Sequence, residues 1–185
     1  MVYALNRGHF VVGPVHWAYA LDGSNWTIHH QIQEVEEGSV VLLSAIKCGS
    51  RALIGDLVSK YLLLYQQARG IVIDGYVRDA PRLIKENWPI WCLGTNPVGC
   101  FNTDPVRAPT PEELMVGERY DGAIAVCDDC GVVVVERQFQ TEQFLEKLCW
   151  IEEQEDTWYE CVDRKKWSTF DTVCRKRYLE GGEGM

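Results

Sequence analysis

Short apolar runs rich in valine alternate along this chain with longer stretches in which apolar residues recur every three or four positions. Residues 10–15 (FVVGPV) and 40–45 (VVLLSA) are bounded by Gly or Pro and predict strands. Between them, in TIHHQIQEVEEG at 27–38, Ile28, Ile32 and Val35 recur at spacings of four and three, which predicts a helix stopped by Gly38. Residues 55–68 carry Leu57, Val58, Tyr61, Leu62, Leu64 and Tyr65, a broad apolar face suited to an interior helix. A strand is expected at 71–73, a helix at 80–87 with Pro81 in its first turn, and a further strand at 89–93. This βαβα alternation predicts an α/β fold.

The later part of the chain has a different pattern. Residues 121–129 and 131–135 read as two strands joined by a tight turn, and beyond Gln138 the sequence becomes helical and heavily charged. There Phe139, Phe144, Leu145, Leu148, Trp150, Ile151, Trp158 and Tyr159 suggest one face of a helix that docks on the body. The expected organisation is therefore an α/β domain over 1–137 and a charged, mainly helical extension over 138–185. The basic groups 164–166 and 175–177 read as a solvated face.

Composition narrows the possible functions. The 185 residues are 46% hydrophobic and 24% charged, ordinary for a globular protein with a core of useful size. A formal net charge of -9 argues against a general nucleic-acid binder, which needs a clustered basic surface, and favours a small substrate or a protein partner. No apolar run approaches the roughly 20 residues of a membrane span. The first ten residues lack the apolar segment of a signal peptide, so a cytoplasmic location is expected.

Eight cysteines are expected as reduced thiols. Cys127 and Cys130 form a C-x-x-C, but a structural zinc site wants a second close pair, and the other six cysteines are solitary. A thioredoxin-like pair would open a helix, whereas Gly131 to Val135 reads as a strand, so a turn between strands is the better reading. His29 and His30 are adjacent on a helix and point in different directions, which argues against a shared metal. The seven tryptophans read as core or interface residues.

The chemistry concentrates in GIVIDGYVRDAPRL, 70–83, where an apolar strand runs into Asp74, Gly75, Arg78 and Asp79. Asp74 and Gly75 are expected to shape the turn. Ligands of α/β sheets collect beyond the carboxyl ends of strands, and an Arg beside an Asp can grip an oxyanion while the carboxylate holds a hard cation. The alternative is an Arg-Asp salt bridge with Asp79 capping the next helix. Gly55-Asp56-Leu57-Val58 offers a similar pair of readings: a close backbone approach with free N–H groups for a carboxylate, or only a turn and a cap.

These segments resemble the RraA-like family, the proteins related to regulator of ribonuclease activity A and the 4-hydroxy-4-methyl-2-oxoglutarate aldolases. The resemblance rests on Asn25-Trp26-Thr27-Ile28-His29, Gly38-Ser39-Val40-Val41, Gly55-Asp56-Leu57-Val58, the stretch Gly70 to Asp79, and Asp128 with Gly131 to Val135. It implies a swivelling ββα-type α/β domain, assembled as a trimer with sites between subunits. It also implies a lyase cleaving a carbon–carbon bond of a 2-oxo acid, such as 4-hydroxy-4-methyl-2-oxoglutarate or oxaloacetate, to release pyruvate. In that scheme Asp79 holds a divalent metal, Mg2+ or Mn2+. Arg78 binds the oxo oxygen, the backbone of Gly55, Asp56, Leu57 and Val58 receives the carboxylate, and the proton-accepting water is held either by the metal or by Asp56. The family's regulatory branch implies an alternative, a non-catalytic protein that binds a ribonuclease or another protein. Arg82 stands where that family often has an acidic residue or glycine, and Ala123 and Glu136 replace an Asp and a Pro of its closing hairpin.

Overall fold

A computed structural model describes residues 1–180, which fall into two units, Met1–Arg137 and a second one beginning at Gln138. In the first unit eight strands form a single sheet. They are β1 (Tyr3–Ala4), β2 (Val11–Leu21), β3 (Val40–Ile46), β4 (Ala52–Ile54), β5 (Gly70–Val77), β6 (Ile90–Thr95), β7 (Ile124–Asp128) and β8 (Gly131–Val135). Their order is β1-β6-β5-β3-β2-β7-β8, and β4 pairs with β5. Strands β2, β3, β5 and β6 run parallel, so their carboxyl ends share one edge; β1, β7 and β8 are antiparallel additions.

The alternation within each strand explains both layers of core. Val41 and Leu43 of β3, with Ile71 and Ile73 of β5, face Ile28, Ile32, Val58, Leu62 and Leu83, which lie on the helical connections. Val40 and Leu42, with Val72 and Trp91, face the opposite way and pack with Ala125 and Cys127. Strands buried on both faces read as continuous apolar runs, which is why the valine-rich segments were recognisable.

The helices are shorter than the apolar spacing predicts. Helix α1 (Trp26–Gln31) passes into one 3-10 turn and ends at Glu34, because Val35 is already extended; Gly38 lies beyond it in a left-handed turn. Helix α2 (Asp56–Lys60) widens into a π turn over Tyr61–Tyr65, closed by Gln66 N–H donating to Tyr61 O at 3.0 Å. Helix α3 (Ala80–Lys85) follows directly from Asp79. Helix α4 (Pro111–Glu118) and strand β4 were not anticipated.

Asp74 and Gly75 do not form a turn; both lie inside β5. Here β5 changes partners: Gly70 to Asp74 pair with β3, and Tyr76 and Val77 pair with β4. Asp74 is exposed, and Gly75 is packed so closely that a Cβ there would lie 3.0 Å from Leu53 Cδ1 and 3.2 Å from the Ala45 Cβ.

Cys127 ends its buried run in β7, and the Asp128 carboxylate accepts the Cys130 N–H at 2.7 Å, so the C-x-x-C is the hairpin turn, as expected. In the second unit α5 (Glu142–Asp163) is capped by Thr141, whose hydroxyl accepts Phe144 N–H at 3.2 Å. Trp158 Nε1 and Gln154 Nε2 both donate to Tyr178 Oη, while Leu145, Leu148, Trp150, Ile151 and Tyr159 remain exposed. Among the described residues no helix is long and apolar enough to cross a membrane.

Candidate active site

The carboxyl ends of β2, β4, β5 and β6, with the segments that follow them, contribute to one small cavity of about 90 Å³. Asn25 and His29 come from beyond β2, Ala52 to Gly55 from β4, Leu57 and Val58 from α2, Arg78 from β5, and Cys100 and Asn102 from beyond β6. Gly55, Leu57, Val58 and Arg78, named from sequence, therefore meet here. Asp56 and Asp79 are adjacent without lining the cavity.

Two glycines make this approach possible. A Cβ on Gly55 would overlap Asp79 Oδ2 and lie 2.7 Å from Arg78 Cγ; one on Gly99 would lie 2.6 Å from Arg78 Nη1. The Arg78 side chain is thus sandwiched between two bare backbone segments. Gly55 is extended, with φ -145, so the requirement there is room and not backbone conformation.

Asp79 adopts a left-handed conformation, φ 62 and ψ 27, rare for a residue with a side chain. It does not cap α3 through its side chain. Instead Oδ2 accepts the Asp56 N–H at 3.2 Å and lies 3.6 Å from Arg78 Nε. With both side chains about half exposed, this Arg-Asp contact contributes little to stability. The Asp56 carboxylate is held by Arg82 at 3.1 Å, so the positive charge of Arg82 is directed at Asp56.

Asn25, His29, Cys100 and Asn102 were given no role by sequence reasoning. Asn25 is buried; its Nδ2 donates to Leu53 O at 2.9 Å, and its Oδ1 has no protein partner. A buried acceptor without a protein partner is rare in folded proteins and is commonly satisfied by a water or a ligand. Asn25 and His29 lie in a segment that carries the family resemblance, but Cys100 and Asn102 have no local signal, and the four come together only when β2, β4, β5 and β6 are aligned.

Asp79 is the carboxylate suited to a divalent cation. Among the described residues no three His, Cys, Asp or Glu side chains cluster tightly enough to cage a metal. A single half-exposed carboxylate fits the habit of Mg2+, which keeps several waters and takes one or two protein carboxylates plus substrate oxygens.

The α/β sheet with a site at its carboxyl edge defines a class, and comparison with known proteins gives the family. The Aldolase/RraA family model (RraA-like) matches residues 1–134, and the chain belongs to this family. A protein of Halalkalibacterium halodurans named "Putative 4-hydroxy-4-methyl-2-oxoglutarate aldolase" is 29% identical over 136 residues, 66% of this chain and 62% of its own length. One of the same name from Shewanella oneidensis is 28% identical over 112 residues, covering 60% of this chain and 68% of its own. The chain thus spans about two thirds of the length of these relatives. Among solved structures, Streptomyces coelicolor RraAS2, described as an unusual member of the RNase ES inhibitor RraA family, superposes with TM-score 0.64 and 27% identity over 84% of this chain and 80% of its own. An uncharacterized Pseudomonas syringae protein shares the fold, with TM-score 0.65 and 24% identity over 92% of this chain and 81% of its own.

Proposed function

We propose that the protein is a divalent-metal-dependent lyase that cleaves a carbon–carbon bond in a 2-oxo acid, such as 4-hydroxy-4-methyl-2-oxoglutarate or oxaloacetate, and releases pyruvate. The observation that carries this reading is the convergence on Gly55: the Arg78 guanidinium stem and the Asp79 carboxylate both occupy the space a side chain would fill. An Arg and a carboxylate held against bare backbone at a strand end form a recognition site for a carboxylate and an oxo group. The names of the relatives point to the same chemistry.

In this reading the backbone of Gly55, Asp56, Leu57 and Val58 receives the substrate carboxylate, and Arg78 binds the 2-oxo oxygen. Bond cleavage leaves negative charge on that oxygen, and a guanidinium already in place stabilises it without reorganisation. Asp79 would hold the metal, which supplies Lewis-acid polarisation of the oxo group. Asp56 positions the water that takes the hydroxyl proton, its own carboxylate oriented by Arg82. A trimer with sites between subunits belongs to the same proposal.

The test is a coupled pyruvate-release assay on both substrates with Mg2+ or Mn2+. Turnover is expected with metal and is abolished by EDTA, and Arg78→Ala and Asp79→Ala each lower kcat/KM on the order of 100-fold or more. Absence of pyruvate from either substrate with metal present would overturn the reading. A second reading, a regulator that binds a ribonuclease, rests on the family named for the Streptomyces structure. It predicts a stable complex whose affinity is unchanged in Arg78→Ala.

A further inference from the structure

A second arginine at the carboxyl edge of the sheet has no part in the scheme above. Arg51 immediately precedes β4, and its side chain reaches both the segment that follows β2 and the one that follows β6. Its Cδ packs over Gly23, where an added Cβ would lie 3.5 Å away. Its Nη1 donates to Gly99 O at 2.8 Å, and its Cζ lies 4.3 Å from the centroid of the Phe101 ring. Backbone bonds join the same two segments: Phe101 N–H donates to Gly23 O and Asn25 N–H donates to Phe101 O, both at 2.9 Å. Unlike Cys100 and Asn102, Arg51 does not line the cavity.

What Arg51 holds is the wall behind Arg78. The peptide unit between Gly99 and Cys100 is gripped from both sides: Cys100 N–H donates to Ala52 O at 3.0 Å, and the Gly99 oxygen accepts Arg51. A peptide fixed at both its donor and its acceptor cannot rotate, so Gly99 keeps its bare face toward Arg78, whose Nη1 would lie 2.6 Å from a Cβ there. Among the described residues the only ion-pair partner of Arg78 is Asp79, 3.6 Å from Nε. The direction of the guanidinium tip is therefore set by packing between Gly55 and Gly99.

We propose that Arg51 is a positioning residue for the candidate site: it fixes the Gly99 peptide so that the Arg78 guanidinium is held facing the oxyanion of the ligand. Arg51 touches no substrate and acts through Arg78. Arginine suits the task because one planar group stacks its face on Phe101 while its edge donates to Gly99 O. Without that grip the wall shifts, and a misplacement of about 1 Å in a charge-stabilising group costs up to on the order of 100-fold in rate. That the oxyanion is the enolate of a 2-oxo acid rests on the lyase reading; the control of Arg78 is open to test by binding alone.

The test is a double-mutant cycle read on two quantities, the affinity for oxalate with Mg2+ present and the release of pyruvate. Oxalate is a planar dianion with the shape of the pyruvate enolate. Arg51→Met keeps most of the side chain's bulk and removes its donor and charge; it is expected to weaken oxalate binding about tenfold and to lower kcat by a similar factor with a smaller change in KM. In an Arg78→Lys background, which lacks the planar fork resting on Gly99, the same substitution should change oxalate affinity by less than about twofold. A merely structural contribution would weaken both backgrounds alike, so equal losses overturn the proposal, as does an unchanged affinity in Arg51→Met. Thermal melts establish that each variant is folded; if Arg51→Met is not, Phe101→Leu, which removes only the ring beneath the guanidinium, takes its place in the cycle with the same expectation. The expected coupling on oxalate without any pyruvate release overturns the lyase reading and leaves the role of Arg51 standing, whereas pyruvate release without coupling does the reverse. A wild type that neither binds oxalate nor releases pyruvate overturns both.

Discussion

Gly55 has no side chain, and the space this leaves is filled by parts of Arg78 and Asp79. Gly55→Ala would therefore displace both side chains, since its Cβ would overlap Asp79 Oδ2 and lie 2.7 Å from Arg78 Cγ. Overpacking of this kind costs about 1–3 kcal/mol, and a lower urea midpoint with unchanged slope is expected. In the lyase reading turnover also falls at least tenfold, because the guanidinium leaves the position at which charge develops. An unchanged midpoint and turnover would show that the two side chains have room elsewhere. Gly55, Arg78 and Asp79 were legible in the sequence because a strand end next to a helix start leaves a local pattern of Gly and charges. The roles of Asn25 and His29, from beyond β2, and of Cys100 and Asn102, from beyond β6, were not, since only the alignment of those strand ends brings them to the cavity.

At the scale of elements, α4 shows how a short helix is held by its entrance. Thr110 and Glu113 form a reciprocal capping box, and Arg107 joins Glu113 at 2.7 Å to Asp22 at 2.7 Å, with Lys47 also 3.1 Å from Glu113. These cations and the Thr110 N–H hold the Glu113 carboxyl down at about 2, Arg107 contributing most, against its ordinary 4.5. A depressed carboxylate pKa adds stability that is present above the unfolded value and is lost as pH falls through the folded one. The melting temperature of the wild type should accordingly exceed that of Glu113→Gln above pH 4.5, and the two should converge as pH falls toward 2. Parallel melting curves across that window would refute the assignment. The element itself escaped sequence reading because Leu114, Met115 and Val116 are consecutive instead of spaced by three and four, and all three are exposed. β4 escaped because three residues form a strand only when β5 offers its second half as a partner. The helices ended early for the opposite reason: apolar spacing continues through 3-10 and π turns, which the period alone does not distinguish from α-helix.

For the whole molecule, the cavity lies at the carboxyl edge of the parallel strands, and Leu57, one of the residues that line it, is 77% exposed. An apolar side chain so exposed beside the candidate site suits the trimer proposed above, in which a neighbouring subunit covers it. Light scattering should then give a mass about three times the chain's 21.1 kDa, and Leu57→Asp should lower it; a monomeric mass at micromolar concentration would remove the trimer from the proposal. The sequence by itself determined the α/β class, the positions of the long strands, the C-x-x-C as a turn and the Gly55 and Arg78-Asp79 segments, because each depends on contacts or propensities within a few neighbouring residues. Only the tertiary structure decided that Asp74 and Gly75 are strand, that Arg82 holds Asp56, and that Cys100 and Asn102 reach the cavity of Arg78. Those outcomes depend on which strand ends are aligned at one edge of the sheet, and this is set by register and packing between residues far apart in the chain.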